Sequence, residues 1–548
     1  MFKANDRIIY SASDIVNFLE CEHISTLDRL NMESPLPETP DGEDLLLLQR
    51  RGSIHEDTYL EKLRSKGLTV VDLSQFEGSV QEQSEATIKA MKTGADIIFQ
   101  STFQVGSLFG HPDFLRKVPT PSRLGNFSYE VIDTKLARIP KAHFVVQLCF
   151  YSDMLTVIQG LQPKMMSIVL GDQSEVNFRF DRFRQYFRTL LFRFQENVSK
   201  NEPTYPEKNA HCPMCRWRGL CEQRWLDDDH LNQVAGISKI QMNKLRDAGI
   251  HSLEQLANLD ESIEIKKISP EALSQIISQA RLQLEKRKTG ANIWELRPLD
   301  PDRVRGFYRL PMPNEGDLFF DMEGDPLILG GLEYLFGVYY FENGEPTFKA
   351  FWAHNRDQER HAFESFMDFV NVRLNKFPDA HIYHYASYEE SALKRLMSTH
   401  GVRESQVDDL LRNQKLVDLY KVVRESIRVS EPSYSIKNLE VFYAQKRSEE
   451  VKDALSSIIF YERWLENNDQ KLLDHIEEYN MVDCRSTYQL RQWLLTLRPA
   501  SIKWKLGTKD TSDKKAKPKS DKTVKLEKEL EAYRKKLHGE LSDRKSVV

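Results

Sequence analysis

The first chemical signal lies just before position 136. Tyr129 to Lys135 read YEVIDTK, an apolar strand ending in Asp133 and Lys135. Side chains two apart on a strand share a face, so this carboxylate and ammonium point into one site. A carboxylate can hold a divalent cation against a phosphate, and an adjacent lysine can stabilise the charge that develops there. That pairing suits phosphodiester hydrolysis, although Asp-x-Lys also arises by chance on surface strands. The surroundings add to it. Asp113 stands at a turn or strand start in FGHPDFL. Gly52 and His55 fall at the opening of an amphipathic helix in RGSIHEDTYLEKL. Gln147 and Tyr151, four apart in HFVVQLCFYSDML, share a helix face.

Taken in order, these residues resemble the RecB-like branch of the PD-(D/E)xK nucleases. That branch has G-x-x-H on a helix, a later Asp, an Asp/Glu-x-Lys strand, then Q-x-x-x-Y on the next helix. The resemblance implies His55, Asp113 and Asp133 as metal ligands, Lys135 as the catalytic lysine, and Gln147 and Tyr151 in support. A degenerate, inactive copy is the alternative.

Three of the six cysteines, Cys212, Cys215 and Cys221, form a C-x2-C-x5-C cluster. Thiolates so close chelate a soft metal and need a fourth ligand to close the site. Cys21 fits, lying before the nuclease signals as the trio lies after them. The arrangement resembles the iron–sulfur RecB-like nucleases, which implies a structural 4Fe-4S cluster. Zinc is the alternative, with His211 or His23 as substitute ligands. Cys149 and Cys484 read as buried free thiols.

A second constellation begins at GDLFFDMEGDP, a strand that puts Asp321 and Glu323 on one face. Far downstream, HIEEYNMVDCRSTYQL places Tyr479 and Asp483 one helical turn apart. Two-metal hydrolysis needs carboxylates converging on ions about 4 Å apart. The pattern resembles the DEDD 3′-5′ exonucleases of the Tyr subclass, on an RNase H-like fold. By that resemblance Asp321, Glu323 and Asp483 bind Mg²⁺ or Mn²⁺ and Tyr479 positions water. Where the family has Asp, HYASYE offers Glu389, one methylene longer, with Asp418 as a secondary candidate.

These residues need elements to hold them, and the expected class is α/β. The pattern divides into a restriction-endonuclease-like RecB core with the cysteines (1–225), a helical segment (227–288), a Pro-containing connector (289–314), an RNase H-like domain (315–498) and a basic, partly helical tail (499–548). The N-terminal helix begins with Ser13 as its expected cap, before Ile15, Val16, Phe18 and Leu19. Within 227–288, LNQVAGISKIQMNKLRDAGIHSLEQLANL resembles a helix-hairpin-helix unit, whose hairpin amides contact phosphates; a helical spacer is the alternative. The tail is a solvated end or a nucleic-acid-contacting arm, with 15 Lys and Arg against 8 Asp and Glu over 503–545.

The chain has 548 residues and a net charge of -5, which is unlike a passive polyanion coat. It has no apolar run long enough for a membrane span and no secretory leader pattern, so a reducing cytoplasm is expected, where clustered cysteines bind metal. The pairing of modules resembles a bacterial family of RecB-like nucleases, over residues 8–498. The expected function is a metal-dependent nuclease acting on DNA ends or single strands, in repair, recombination or defence. An RNA-processing nuclease and a non-catalytic DNA-end adaptor for a helicase are the alternatives. No Walker A motif occurs, so a helicase would act in trans.

Overall fold

The strand Ser128–Thr134 is buried at all seven positions, as a strand covered on both faces must be. In this computed structural model it lies inside a six-stranded mixed sheet, ordered Glu175–Arg179, Met165–Val169, Ser128–Thr134, Phe114–Val118, Ile97–Phe99, Val70–Asp72. The structure describes residues 1–504 apart from 5–6, 201, 261, 300–303, 327, 329 and 445–453. Most of the basic tail, including its expected helical stretch, lies outside these described residues.

Helix Ala142–Gln159 crosses from Ser128–Thr134 to its parallel partner Met165–Val169, as a parallel pair requires. Helix Glu43–Ser65 covers the sheet's other side, with Tyr59, Leu60 and Leu63 packed on Phe99, Phe114 and Ile132. Two local expectations change. Gly52 and His55 lie in the middle of that helix, because it starts at Glu43. The first helix, Ala12–Glu20, is capped by Ser11 rather than Ser13. Ser11 accepts from the Asp14 amide, and Asp14 reciprocates at the Ser11 amide in a capping box.

After helix Phe180–Lys200 the chain returns to helix Glu22–Glu33. Trp217 is fully buried there and donates its indole N–H to Asp28 at 2.7 Å, beside Ile24 and Leu27. The middle helices Lys239–Asp247, Leu253–Ala257 and Pro270–Thr289 share a small core of their own. At the Gly236 hairpin the Ala235 amide is taken by Gln283, the Ile237 amide closes on Val234, and Gly236 lies against Arg424. This hairpin is thus packed on the C-terminal half, as a spacer would be. The connector is docked as well: Trp294–Leu296 pairs antiparallel with Ile427–Val429.

The second main sheet is ordered Glu345–Trp352, Leu332–Glu342, Leu318–Asp325, Ile382–His384, Leu416–Asp418. Its first three strands form an antiparallel meander and the last two join in parallel. Helix Gln470–Leu497 lies across it. Gly337, opposite Asp321, permits this approach: a Cβ there would sit 1.6 Å from Asn480 Oδ1. The two halves also touch. Arg51 forms ion pairs with Asp325 and Glu462, Arg463 pairs with Glu43 at 2.7 Å, and Arg138 donates to the Pro326 carbonyl at 3.2 Å.

Candidate metal centres

In the C-terminal half, strand Leu318–Asp325 delivers Asp321 and Glu323, and helix Gln470–Leu497 delivers Asp483. One oxygen of each lies within 4.8 Å of the others. Among the described residues this is the one group of His, Cys, Asp and Glu side chains so closely gathered. Burial holds the Asp321 carboxyl well above its ordinary range, and Asp483, Glu323 and Glu389 push it further. Burial and then Asp483 raise Glu323 to about 8, against the opposing pull of Ser457 and Lys437. Buried, mutually repelling carboxylates of this kind are what a divalent cation relieves. The donor set fits Mg²⁺ or Mn²⁺, which prefer hard oxygen ligands.

Glu389, on helix Tyr388–His400, is buried against His384 at 3.3 Å and faces Asp321. It stands beside the group of three rather than within it. Its loop is held by Asp418, whose Oδ1 accepts the amide of Ala386, a left-handed residue with φ 72°. The same oxygen caps helix Leu419–Ser426. Asp418 therefore positions the Glu389 loop. Tyr479 lies 3% exposed beside Asp483, and burial together with the nearby carboxylates raises its phenol, so it keeps its proton. Asn480 donates to Asp321 at 2.8 Å. Lys437, which the sequence did not single out, comes in from the short helix Ile436–Leu439. Its ammonium lies 5.0 Å from the Tyr479 ring and draws the Glu323 pKa down.

The N-terminal half gathers a different set. Asp133 ends its strand fully buried and pairs with Lys135. Burial and the neighbouring Asp113 raise Asp133 to about 7, with Lys135 opposing. Asp113 accepts from the backbone amide and hydroxyl of Thr134 at 2.7 and 2.8 Å. Burial would lower Lys135, but Asp133 and Asp113 outweigh it and keep it protonated. Gln147 donates to the Tyr151 hydroxyl at 3.2 Å, and Tyr151 faces both aspartates. His55 is nearby but turned aside. Its Nε2 donates to the Val169 carbonyl at 3.4 Å and its Nδ1 accepts from Gln173 at 2.8 Å. Glu56, the next residue, faces Asp133 and Lys135 instead; burial and Asp133 raise its carboxyl. Sequence reasoning passed over Glu56 because nothing in the motif marks it.

The four cysteines meet. Cys21, at the joint between helices Ala12–Glu20 and Glu22–Glu33, lines one small cavity with Cys212, Cys215 and Cys221. Burial, then Cys215, Cys21 and Cys212, push the Cys221 thiol up to about 12. All six cysteines are free of disulfides. His23, lowered to about 4 by burial and Arg224, bonds Thr204 through Nδ1. Cys149 and Cys484 are buried elsewhere.

Residues 318–495 match the family model of the RNase_H superfamily. The C-terminal sheet and its carboxylates thus belong to an RNase H-like domain, which implies nuclease-type chemistry on a nucleic-acid substrate. No protein of curated function matches the chain. No helix among the described residues is long and apolar enough to cross a membrane.

Proposed function

We propose that the chain is a Mg²⁺- or Mn²⁺-dependent nuclease that hydrolyses DNA at ends or in single strands, with one centre in each half. The observation that carries this reading is the gathering of Asp321, Glu323 and Asp483 within 4.8 Å inside an RNase H-like domain. Bound there, divalent ions would neutralise the phosphate and make water acidic enough to attack it. The chain supplies the rest. The Tyr479 hydroxyl orients the attacking water, and Lys437 offsets charge on the phosphate. Glu389 serves as the further ligand that the DEDD pattern expects, one methylene longer than Asp.

In the N-terminal centre Asp113, Asp133 and, after its ring turns, His55 would hold the ion. Lys135 stabilises the developing charge while Gln147 and Tyr151 brace the site. The order helix, five strands, helix, strand around Asp133, with three of the five strands in its sheet, supports the RecB-like reading. So does the convergence of four cysteines, which we assign to a structural 4Fe-4S cluster that staples residue 21 to residues 212–221. A tetrahedral zinc with Zn–S of 2.3 Å would hold its sulfurs about 3.8 Å apart.

The test is incubation of the full chain with end-labelled DNA and RNA, with Mn²⁺ or with chelator. Shortening of DNA that stops in chelator is expected. Cleavage of RNA alone would move the function to RNA processing. Binding without cleavage of either polymer would make the chain an adaptor. A brown anaerobic preparation checks the cluster; a colourless one with stoichiometric zinc overturns it.

A further inference from the structure

Beside the N-terminal centre runs a groove of about 600 Å³, within the range of ligand-binding clefts. Glu56 belongs to both, lining the groove and facing Asp133 and Lys135. The rest of the lining is unlike a phosphate track. It contains no Lys or Arg, and its charged members are Glu56 and Asp57. Its chemistry is amide and aromatic: Gln75, Gln83, Gln100, His111 and Phe76. Amides offer a donor and an acceptor each, the complement of a base edge, and an aromatic face is a stacking platform.

Two features single the groove out. Gln100 is held in the left-handed region at φ 52°, an uncommon conformation for a residue with a Cβ. Its amide N–H donates to the Asp113 carbonyl at 2.8 Å, and its side chain donates to Glu56 at 2.7 Å. The strained residue therefore ties the groove floor to the centre. Phe76 is 43% exposed, yet it sits on an ordered turn rather than a loose loop. Its amide closes on the Leu73 carbonyl at 3.0 Å, and Asp72 just before it is fixed by Ser74 and Arg64. An aromatic ring held out of the core, on a hydrogen-bonded turn lining a polar groove, is placed to stack on something.

We infer that this groove is a nucleobase-binding subsite for single-stranded nucleic acid. It takes an unpaired base against Phe76 and the glutamine amides, so that the adjoining phosphate lies toward Lys135. A paired base has its edge occupied and its faces stacked, so the groove selects an unpaired strand. The inference rests on the nuclease reading of the Asp113–Asp133–Lys135 centre, and adds to it a site of base contact.

The experiment is fluorescence anisotropy of the full chain in EDTA, where cleavage is suspended. The probes are a labelled single-stranded oligodeoxynucleotide and the same backbone with abasic residues throughout. Wild-type protein is expected to prefer the base-bearing strand by roughly tenfold, the scale of one base stacked on an aromatic ring. Phe76→Ala should remove most of that preference without changing affinity for the abasic strand, and Phe76→Trp should restore it. Equal binding of the two strands by wild type, or an undiminished preference in Phe76→Ala, would overturn the subsite. Base-dependent binding without any Lys135-dependent cleavage would instead remove the nuclease reading alone.

Discussion

The two centres balance their charge in opposite ways. In the N-terminal half Asp133 is paired with a lysine two residues away, and Asp113 is hydrogen-bonded by Thr134. In the C-terminal half three carboxylates press together, and Lys437 lies 5.0 Å from the Tyr479 ring beside them. The first centre is partly compensated by its own lysine, although Asp113, Asp133 and Glu56 still push one another up. The second is a donor set that a divalent ion would relieve, because like charges in a buried site cannot all ionise unaided. The difference teaches that a similar inventory, carboxylates with one lysine, can be either a poised pair or a waiting ligand cage.

The largest effect expected separates the halves by what staples them. Cys21→Ser should bleach the cluster and unfold the N-terminal half. A structural metal site is worth on the order of 10 kcal/mol. Calorimetry should show the early loss of one transition while the RNase H-like domain's Mn²⁺ affinity is unchanged. Loss of both would mean that the halves fold as one unit.

Next in size, Lys135→Ala should slow the cleavage assigned to the first centre by about 10²–10³-fold, the scale of one lost charge-stabilising donor. Lys437→Ala should slow the second by about tenfold, nearer the cost of a supporting partner, since Lys437 acts on Glu323 without belonging to the group of three. Equal losses would break the comparison. Arg51 links the halves, one turn from His55 and ion-paired to Asp325 at the end of the Asp321 strand. Arg51→Ala removes the guanidinium that pairs with a buried carboxylate, at a cost of about 3 kcal/mol. The two thermal transitions should then move further apart.

The smallest effect is on pH. Glu323 and Asp133 titrate higher in the folded chain than in the unfolded one, near 8 and 7. Between the ordinary carboxylate range and about pH 8 the folded chain holds protons that the unfolded chain has released. In chelator, stability should therefore be greatest at the acidic end of that window and fall as pH rises through it. Mn²⁺ should flatten the fall, and Glu323→Gln should remove part of the C-terminal share, Asp321 keeping the rest. A Tm that rises from pH 5 to pH 8 in chelator would contradict the assignment.

Much of this was legible in the sequence where chemistry is local. Asp133 with Lys135, Asp321 with Glu323, and Tyr479 with Asp483 each sit on one strand or one helical turn, so spacing alone places them together. The trio Cys212, Cys215 and Cys221 was legible because its spacing is narrow, and Cys21 because it lies before the nuclease signals as the trio lies after them. What escaped depends on tertiary approach. Lys437 reaches Tyr479 from a helix that no motif announces. Glu56, rather than His55, turns toward Asp133 because of how a long helix is rotated on the sheet. Gly337 is one glycine in an apolar strand until helix Gln470–Leu497 lies across it. The spacer-like packing of the Gly236 hairpin follows from Arg424 and Gln283, far away in the chain.

The most direct test of the central claim is the rate of Mn²⁺-dependent cleavage of end-labelled DNA by wild type, Asp321→Asn, Lys135→Ala and the double variant, with folding checked by circular dichroism. Two working centres predict that each single variant loses one component of the activity and that the double variant loses all of it. Full activity in the folded double variant would contradict both site assignments.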